Sequence, residues 1–492
     1  MATPEGESES GWDRIYVDGE WRPASSGEVI PVENPATREQ FAAVPAATEA
    51  DVDAAYEAAA AAQPAWARLP REERLEYVEA ARDALKSRFD EVVDLLAQEG
   101  GSAHGKGGGE VAISLSDFRT ALTQEPPEPE ERESVFVEGK TNHVVHEPVG
   151  VVGIISPWNY PLHLSTRAFA PALALGNTVV LKPATATPVT GGLLLAEIAD
   201  EVGFPDGVVN VVTGRGSEIG DRMAGHPIPR VLSFTGSTDV GRRVASEAGS
   251  AVTLPALELG GNAPNVVTDD VDVERVARIG AVGSFTHQGQ VCISINRHVV
   301  HEDVYDEYVD ELVANAESLE LGDPSANSDV DLGPVIDESQ RDDLLTYVEE
   351  SVEAGATLET GGSARDLFVE PTVLSGATNE MAAACNEHFG PVAPVIPVRS
   401  DEEAIEVAND TEYGLSAAVQ CDDLERARTL ADRIDAGMVH VNDHPIQDEP
   451  NAPFGGTKQS GLGRYNGEWI VEELLETKWI SLQHEDRDYD LV

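Results

Sequence analysis

The chain has 492 residues, enough for about three folding units at roughly 150 residues each. Its 41% hydrophobic content is that of a globular protein with a large core, and it excludes disorder over most of the length. The net charge of −56, from 33 Lys and Arg against 89 Asp and Glu, argues against nucleic acid and anionic membranes as partners, because phosphates would be repelled.

Residues 1 to about 10 read as an acidic tail. The stretches DVDAAYEAAAAAQPAWARL (51–69) and REERLEYVEAARDALKSRFDEVVDLLAQEGG (71–101) carry helical spacing with glycine stops. The proline- and acid-rich TQEPPEPEERE (123–133) reads as a linker or an excursion from the main body. SVFVEGKTNHVVHEPVG (134–150) alternates as a hairpin would, with Glu138-Gly139-Lys140 at the turn. From about residue 150 a strand–helix rhythm sets in. VGVVGIIS, NTVVLKP, GVVNVVTG and RVLSFTGS read as strands, each followed by a helix. That alternation predicts the α/β class, with a parallel sheet covered on both faces. A second α/β series runs from about 258 to 440, and ETKWISLQ near the end is one more strand after a helix.

With six lysines, the chain takes most of its positive charge from arginine. A carboxylate-rich, lysine-poor surface suits very high salt, where the Debye length shrinks to ~3 Å at 1 M and self-repulsion is tamed. Three cysteines cannot form a disulfide framework, which points to a reducing compartment. The first residues lack a basic and an apolar leader region, and no apolar run approaches membrane-spanning length. A soluble cytoplasmic protein is therefore expected.

Several short stretches carry chemistry. GRGSEIG (214–220) and FTGSTDVG (234–241) each join a strand to a helix through glycine. Such turns either offer backbone N–H groups to a phosphate or only make a tight connection. Lys182 ends a Val/Leu-rich strand at its carboxyl edge, where open α/β sheets bind ligands; it either meets a ligand or snorkels to solvent. Asn159 stands between two prolines in ISPWNYPLH, as an oxyanion donor or as a turn former. Glu258 lies in an apolar run before Gly-Gly, where a carboxylate has a raised pKa; that suits a general base, or a paired structural acid. Cys292, in the glycine-flanked loop FTHQGQVCIS, is the nucleophile candidate. Cys385 and Cys421 read as small hydrophobes filling space.

Taken jointly, these stretches resemble the NAD(P)-dependent aldehyde dehydrogenase superfamily over nearly the whole chain. The matching runs are P-W-N-x-P at 157–161, L-K-P at 181–183 and F-T-G-S at 234–237. They continue with E-L-G-G at 258–261, G-Q-x-C at 289–292, E-x-F-G-P at 387–391 and P-F-G-G-x-K-x-S-G-x-G at 453–463. The resemblance implies Cys292 as nucleophile, Glu258 as general base and Asn159 as oxyanion donor. It implies NAD or NADP as cofactor and no metal. Lys182 would hold the adenosine ribose, with Thr185 facing it, and Gly214 would contact the cofactor. The turn Gly236-Ser237 through Gly241 would face the pyrophosphate, and Phe234 would also contact the cofactor. Ser156, Pro157, Trp158 and Leu259 would line the same site, with Glu387 on the nicotinamide ribose and Phe389 beside the nicotinamide.

The chain departs from the resemblance at Thr185, where NAD-preferring members often carry Glu; without that carboxylate, a 2′-phosphate is not repelled. The longer runs look most like the benzaldehyde and vanillin dehydrogenase branch, so an aromatic aldehyde is the expected substrate. Alternatives are an aliphatic aldehyde or semialdehyde with the same mechanism, or a catalytically silent protein on this scaffold. Tyr160, His163 and Arg167 follow Asn159 at spacings that place them at the substrate pocket or in packing. The expected division is a Rossmann-like cofactor domain (1–124 and 145–257), a catalytic domain (258–440) and a return segment (441–469). The segments 125–144 and 470–492 would form a small β arm that makes a homodimer or homotetramer.

Overall fold

The computed structural model describes residues 11–489; the predicted acidic tail lies outside them. An eight-stranded sheet is built around five parallel strands: Val151–Ile155, Thr178–Lys182, Val209–Val211, Val231–Thr235 and Leu254–Glu258. Apart from the exposed Leu254 at the start of the last strand, their apolar runs are largely buried, as a helix-covered parallel sheet requires. The chain winds outward from Val151–Ile155 through the second and third of these strands. It then crosses to the other side for the fourth and fifth. The winding therefore reverses between Val151–Ile155 and Val231–Thr235, which are paired in parallel. Beyond the carboxyl ends of such strands a crevice opens, the usual ligand position of doubly wound sheets.

A seven-stranded sheet gathers Ala263–Val267, Ile295–His301, Val392–Val398, Thr372–Ser375, Thr357–Thr360, Ser416–Gln420 and Met438–Val441. The chain then returns to the first sheet, where Gly461–Leu462 pairs antiparallel with Leu257 and Glu258. That pairing covers an otherwise open edge. Among the described residues no helix is long and apolar enough to cross a membrane.

Three elements differ from the sequence reading. The predicted helix over 71–101 is two helices, Arg71–Ser87 and Phe89–Gly100, broken at Arg88 (φ −100°, ψ 16°). The helix after Lys182 opens with a wide turn, Val189–Leu193. There the buried Glu99 carboxylate accepts from the backbone N–H groups of Val189 (2.7 Å) and Thr190 (2.8 Å). A methyl at Gly192 would come within 2.7 Å of Pro183 Cγ, so glycine is needed for this approach. The hairpin is also displaced. Its first strand is the acidic Glu130–Glu133, and the alternating Ser134–Val137 run belongs to the connection instead. Ser134 N donates to Lys140 O and Val137 N to Ser134 Oγ, which closes that connection as a loop. The register is set from the other side, where Leu475–Gln483 pairs along all of Lys140–Pro148.

Candidate active site

Ser156-Pro157-Trp158-Asn159 leaves the carboxyl end of Val151–Ile155 at the winding reversal. Pro161 then opens the helix Pro161–Ala174, where its fixed φ and missing N–H cost nothing. Asn159 is buried, and its Nδ2 donates to Gln290 O at 2.9 Å, which leaves its second N–H available. The helix His104–Ala121 clamps this turn. Lys106 Nζ donates to Asn159 O at 2.7 Å and to Ser102 Oγ at 3.0 Å, and it is ion-paired with Glu110. Glu110 in turn accepts from Leu162 N (2.9 Å) and His163 N (3.3 Å), two orphan donors of the first helical turn.

Cys292 follows a strained loop. His287 (φ 52°), Gln288 (φ 57°) and Gly289 (φ 70°) all adopt left-handed backbone. A Cβ at Gly289 would stand 2.1 Å from Gly390 O, so only glycine fits. Gln288 ties the loop down by donating from Nε2 to Gly101 O (3.1 Å) and Pro334 O (2.7 Å). Across the loop, the Cβ-less Gly261 permits close approach of Cys292 O. The thiol keeps partial solvent access. Burial pushes it up to about 12; Glu387 and Glu258 add to the push and Arg167 opposes it. At rest Cys292 is therefore a thiol, and a base must take its proton before it can act as a nucleophile.

Two cavities meet at this point, and Cys292 and Asn159 line both. The first, about 270 Å³, lies between the helices His104–Ala121 and Pro161–Ala174 and the segment Ile446–Asp448. Tyr160, His163 and Arg167 all line it. The second, about 260 Å³, lies against the reversal crevice and is lined by Trp158, Gly236, Ser237, Leu259, Glu387 and Phe389.

Glu258 ends the strand Leu254–Glu258 and lies outside both linings. Its two carboxylate oxygens are buried without a hydrogen-bond partner. Burial pushes its carboxyl up to about 8, against the pull of Arg167 and Arg464. Its Oε1 rests against Gly455, where a Cβ would come within 2.9 Å.

His163 and Arg167 enter a buried ion network. His163 bridges Asp117 (Nδ1, 2.9 Å) and Asp448 (Nε2, 2.8 Å), and Arg167 Nη2 donates to Asp448 at 3.1 Å. Burial opposes a charged imidazole, but the two carboxylates outweigh it and raise the His163 pKa. The Arg167 guanidinium also lies 4.1 Å from the ring centroid of Phe454.

The second cavity and the adjoining strand ends fit a nicotinamide dinucleotide. Lys182 is 3% exposed and donates only to its neighbour, Pro183 O, so two of its three donors remain for ribose hydroxyls. Thr185 Oγ1 donates to Gly214 O at 3.2 Å, so two residues expected at the cofactor lie side by side. Gly236 and Gly241 keep the turn close to the sheet: a Cβ on either would overlap Phe234 or Leu259. Glu387 is half-buried, accepts from Gly261 N at 3.0 Å and lines the cavity. Phe389 meets Trp158 edge to face at 5.4 Å. Ser156, Lys182, Thr185, Gly214, Phe234 and Gly241 do not line the second cavity itself; Ser156 N joins the strand ladder at Lys182 O.

The model of the aldehyde dehydrogenase family matches residues 21–480. The chain belongs to the aldehyde dehydrogenase family. This aldehyde dehydrogenase is 44% identical to a vanillin dehydrogenase of Corynebacterium glutamicum, over 95% of this chain and 97% of that one. It is 41% identical to a benzaldehyde dehydrogenase of Bacillus subtilis, over 97% and 98% of the two chains. It superposes on a betaine aldehyde dehydrogenase of Staphylococcus aureus in complex with NAD+ at a TM-score of 0.94 and 33% identity, covering 98% of this chain and 97% of the other. It is an oxidoreductase that acts on aldehydes with NAD or NADP.

Some residues of this dehydrogenase's site had no sequence signal of their own. Asp448 sits in a polar return loop, and Gln340 lies on an exposed helix although its Nε2 donates to His388 O (2.9 Å) and Phe389 O (3.1 Å). Lys106 and Glu110 did carry one: a lysine and an acid four residues apart around a glycine run, in a chain with six lysines.

Proposed function

We propose that this aldehyde dehydrogenase oxidises aromatic aldehydes to carboxylates through a covalent intermediate on Cys292. The observation that carries the reading is that the Cys292 thiol and the Asn159 amide line both cavities, so an aldehyde carbon in one can face a cofactor in the other. The Cys292 thiol, which keeps partial solvent access, gives its proton to water, its sulfur attacks the carbonyl carbon, and the oxygen takes up negative charge. The free N–H of Asn159 and the backbone N–H of Cys292 donate to that oxygen. A nicotinamide cofactor held beside Glu387 and Phe389 would supply the acceptor for the hydride that must leave the carbon. Glu258 then takes a proton from water, and the hydroxide displaces the thiolate from the thioester to release the acid.

An apolar cavity wall of Ile113, Leu164, Val291, Ile293 and Phe454 supports an aromatic substrate. A semialdehyde is the second reading, favoured by Arg167. It lines the same cavity, is 3% exposed, and leaves Nε and Nη1 without partners that could meet a carboxylate. A panel of benzaldehyde, propanal and glutarate semialdehyde, assayed with NAD and NADP in molar KCl, tests the reading. Benzaldehyde should give the highest kcat/KM; a higher value for either other aldehyde would sink the aromatic assignment.

The same assay tests the coenzyme. With Thr185 in place of a carboxylate, NADP should support turnover. Thr185→Glu should depress NADP use through repulsion of the 2′-phosphate, by about 1–3 kcal/mol. NADP kinetics unmoved by that substitution would place residue 185 away from the ribose.

We assign the cofactor to residues 1–124 and 145–257, the thiol to 258–440 and the return to 441–469, supported by which sheet each strand joins. The arm built from 125–144 and 470–492 meets a second copy in a cytoplasmic homodimer or homotetramer. Its exposed Phe136 (95%) and Trp479 (68%) support this. A monomeric mass by light scattering in molar KCl would remove the assembly from the reading.

A further inference from the structure

The helix His104–Ala121 opens with Gly105-Lys106-Gly107-Gly108-Gly109-Glu110. Each glycine inside a helix costs roughly 0.5–1 kcal/mol relative to alanine, so this run works against its own secondary structure. Gly107 has a packing reason: a methyl there would press on Val93 Cγ1 at 3.3 Å. Gly105 and Gly109 have none, since a Cβ on either would meet no atom within 4 Å. They stand four residues apart on one helix face, with Ile113 next along it, and all three line the aldehyde cavity. The space they leave therefore belongs to the cavity and not to a neighbouring side chain.

The charges on this stretch are not offered to a ligand. Lys106 and Glu110 are consumed in clamping the Asn159 turn and capping the helix Pro161–Ala174. What remains facing the cavity at Gly105 and Gly109 is bare helix backbone, a flat surface. Arg167, fully enclosed and lining the same cavity, keeps Nε and Nη1 free of partners and supplies a donor for a substrate oxygen.

We propose that Gly105 and Gly109 determine the specificity of the aldehyde cavity. The bare helix face forms a slot that admits a planar aromatic ring, and Arg167 donates to an oxygen carried by that ring. This rests on the aromatic reading above and names the element that enforces it. A side chain at either glycine narrows the slot across the ring's flat face, whereas a short aliphatic aldehyde does not need that width.

The test is Gly105→Ala, Gly109→Ala and the double variant, assayed with benzaldehyde, 4-hydroxybenzaldehyde and propanal under saturating NAD. Alanine favours the helix, so the variants should melt no lower than wild type, and lost activity cannot be charged to misfolding. In the double variant the ratio of kcat/KM for benzaldehyde to that for propanal should fall by about tenfold or more, chiefly through KM. In the wild type 4-hydroxybenzaldehyde should have the lower KM of the two rings; equal values overturn the role of Arg167. A ratio that moves less than about threefold in the double variant, whether both aldehydes decline together or neither does, overturns the slot. The two failures separate cleanly. If wild type prefers benzaldehyde and the ratio stays, only the slot falls; if wild type prefers propanal, the aromatic reading falls and takes the slot with it.

Discussion

Cys292→Ala should abolish aldehyde oxidation while NAD(P) binding stays near normal. In the proposed mechanism the sulfur forms the covalent bond, and neither other cysteine is placed to stand in. Cys385 is exposed at the end of the short helix Ala382–Cys385, and Cys421 is buried with its Sγ 3.7 Å from Asp270. The residues proposed to hold the cofactor, Lys182, the Gly236 turn and Glu387, do not depend on the sulfur for their positions. Loss of a nucleophile that acts as a unit with its base and oxyanion donors costs on the order of 10⁴-fold or more in kcat. Steady-state assays with benzaldehyde, together with a titration of NAD binding, read both halves of the expectation. Activity within tenfold of wild type would sink the assignment of the nucleophile.

Glu258→Gln should slow deacylation far more than hydride release. Its backbone pairs with Val231–Thr235 on one side and the returning Gly461–Leu462 on the other, and its carboxyl is buried with no donor on either oxygen. Burial raises it to about 8, so it is protonated below that pH and becomes a base as the pH rises through it. The deacylation rate of the wild type should accordingly climb between about pH 7 and 9 and then level off. Glutamine keeps the shape but cannot take a proton, so the variant should lose that limb and about 10²–10⁴-fold in rate. Rapid mixing should show a burst of reduced cofactor followed by a slow phase. If both phases shrank equally, with no change in the pH profile, Glu258 would be structural.

Asn159, Glu258 and Lys182 are candidates in the sequence for local reasons, and Cys292 becomes one through the joint pattern they form with it. Asn159 is fixed by prolines on either side of its own turn, Glu258 by the apolar strand it ends, and Lys182 by its place at a strand's carboxyl edge. Strand–helix alternation is likewise a short-range pattern, and it was enough for the doubly wound sheet. Where the local pattern misled, a distant partner had the deciding vote. Ser134–Val137 alternates like a strand, yet the register of the arm is imposed by Leu475–Gln483, more than three hundred residues away. The helix after Lys182 opens wide because Glu99, from another helix, caps it.

The sequence by itself determined the fold class and, through its resemblance to the aldehyde dehydrogenase family, the cofactor class, and it singled out a candidate thiol, acid and amide, since each motif depends on a few consecutive residues and their spacing. Only the tertiary structure decided what surrounds them. Asp448 reaches Arg167 across 281 positions and His163 across 285, and Lys106 reaches Asn159 O across 53. None of these pairings has a period or a motif. Hydrophobic periodicity reports which face of an element is buried, but not which charge from elsewhere is buried against it. In a low-dielectric interior an unpaired charge is costly, so these partners settle the site's geometry only once the chain has packed. The bare face of Gly105 and Gly109 is of the same kind. Four glycines in five residues read as a weak helix, and only the cavity beside them gives that weakness a purpose.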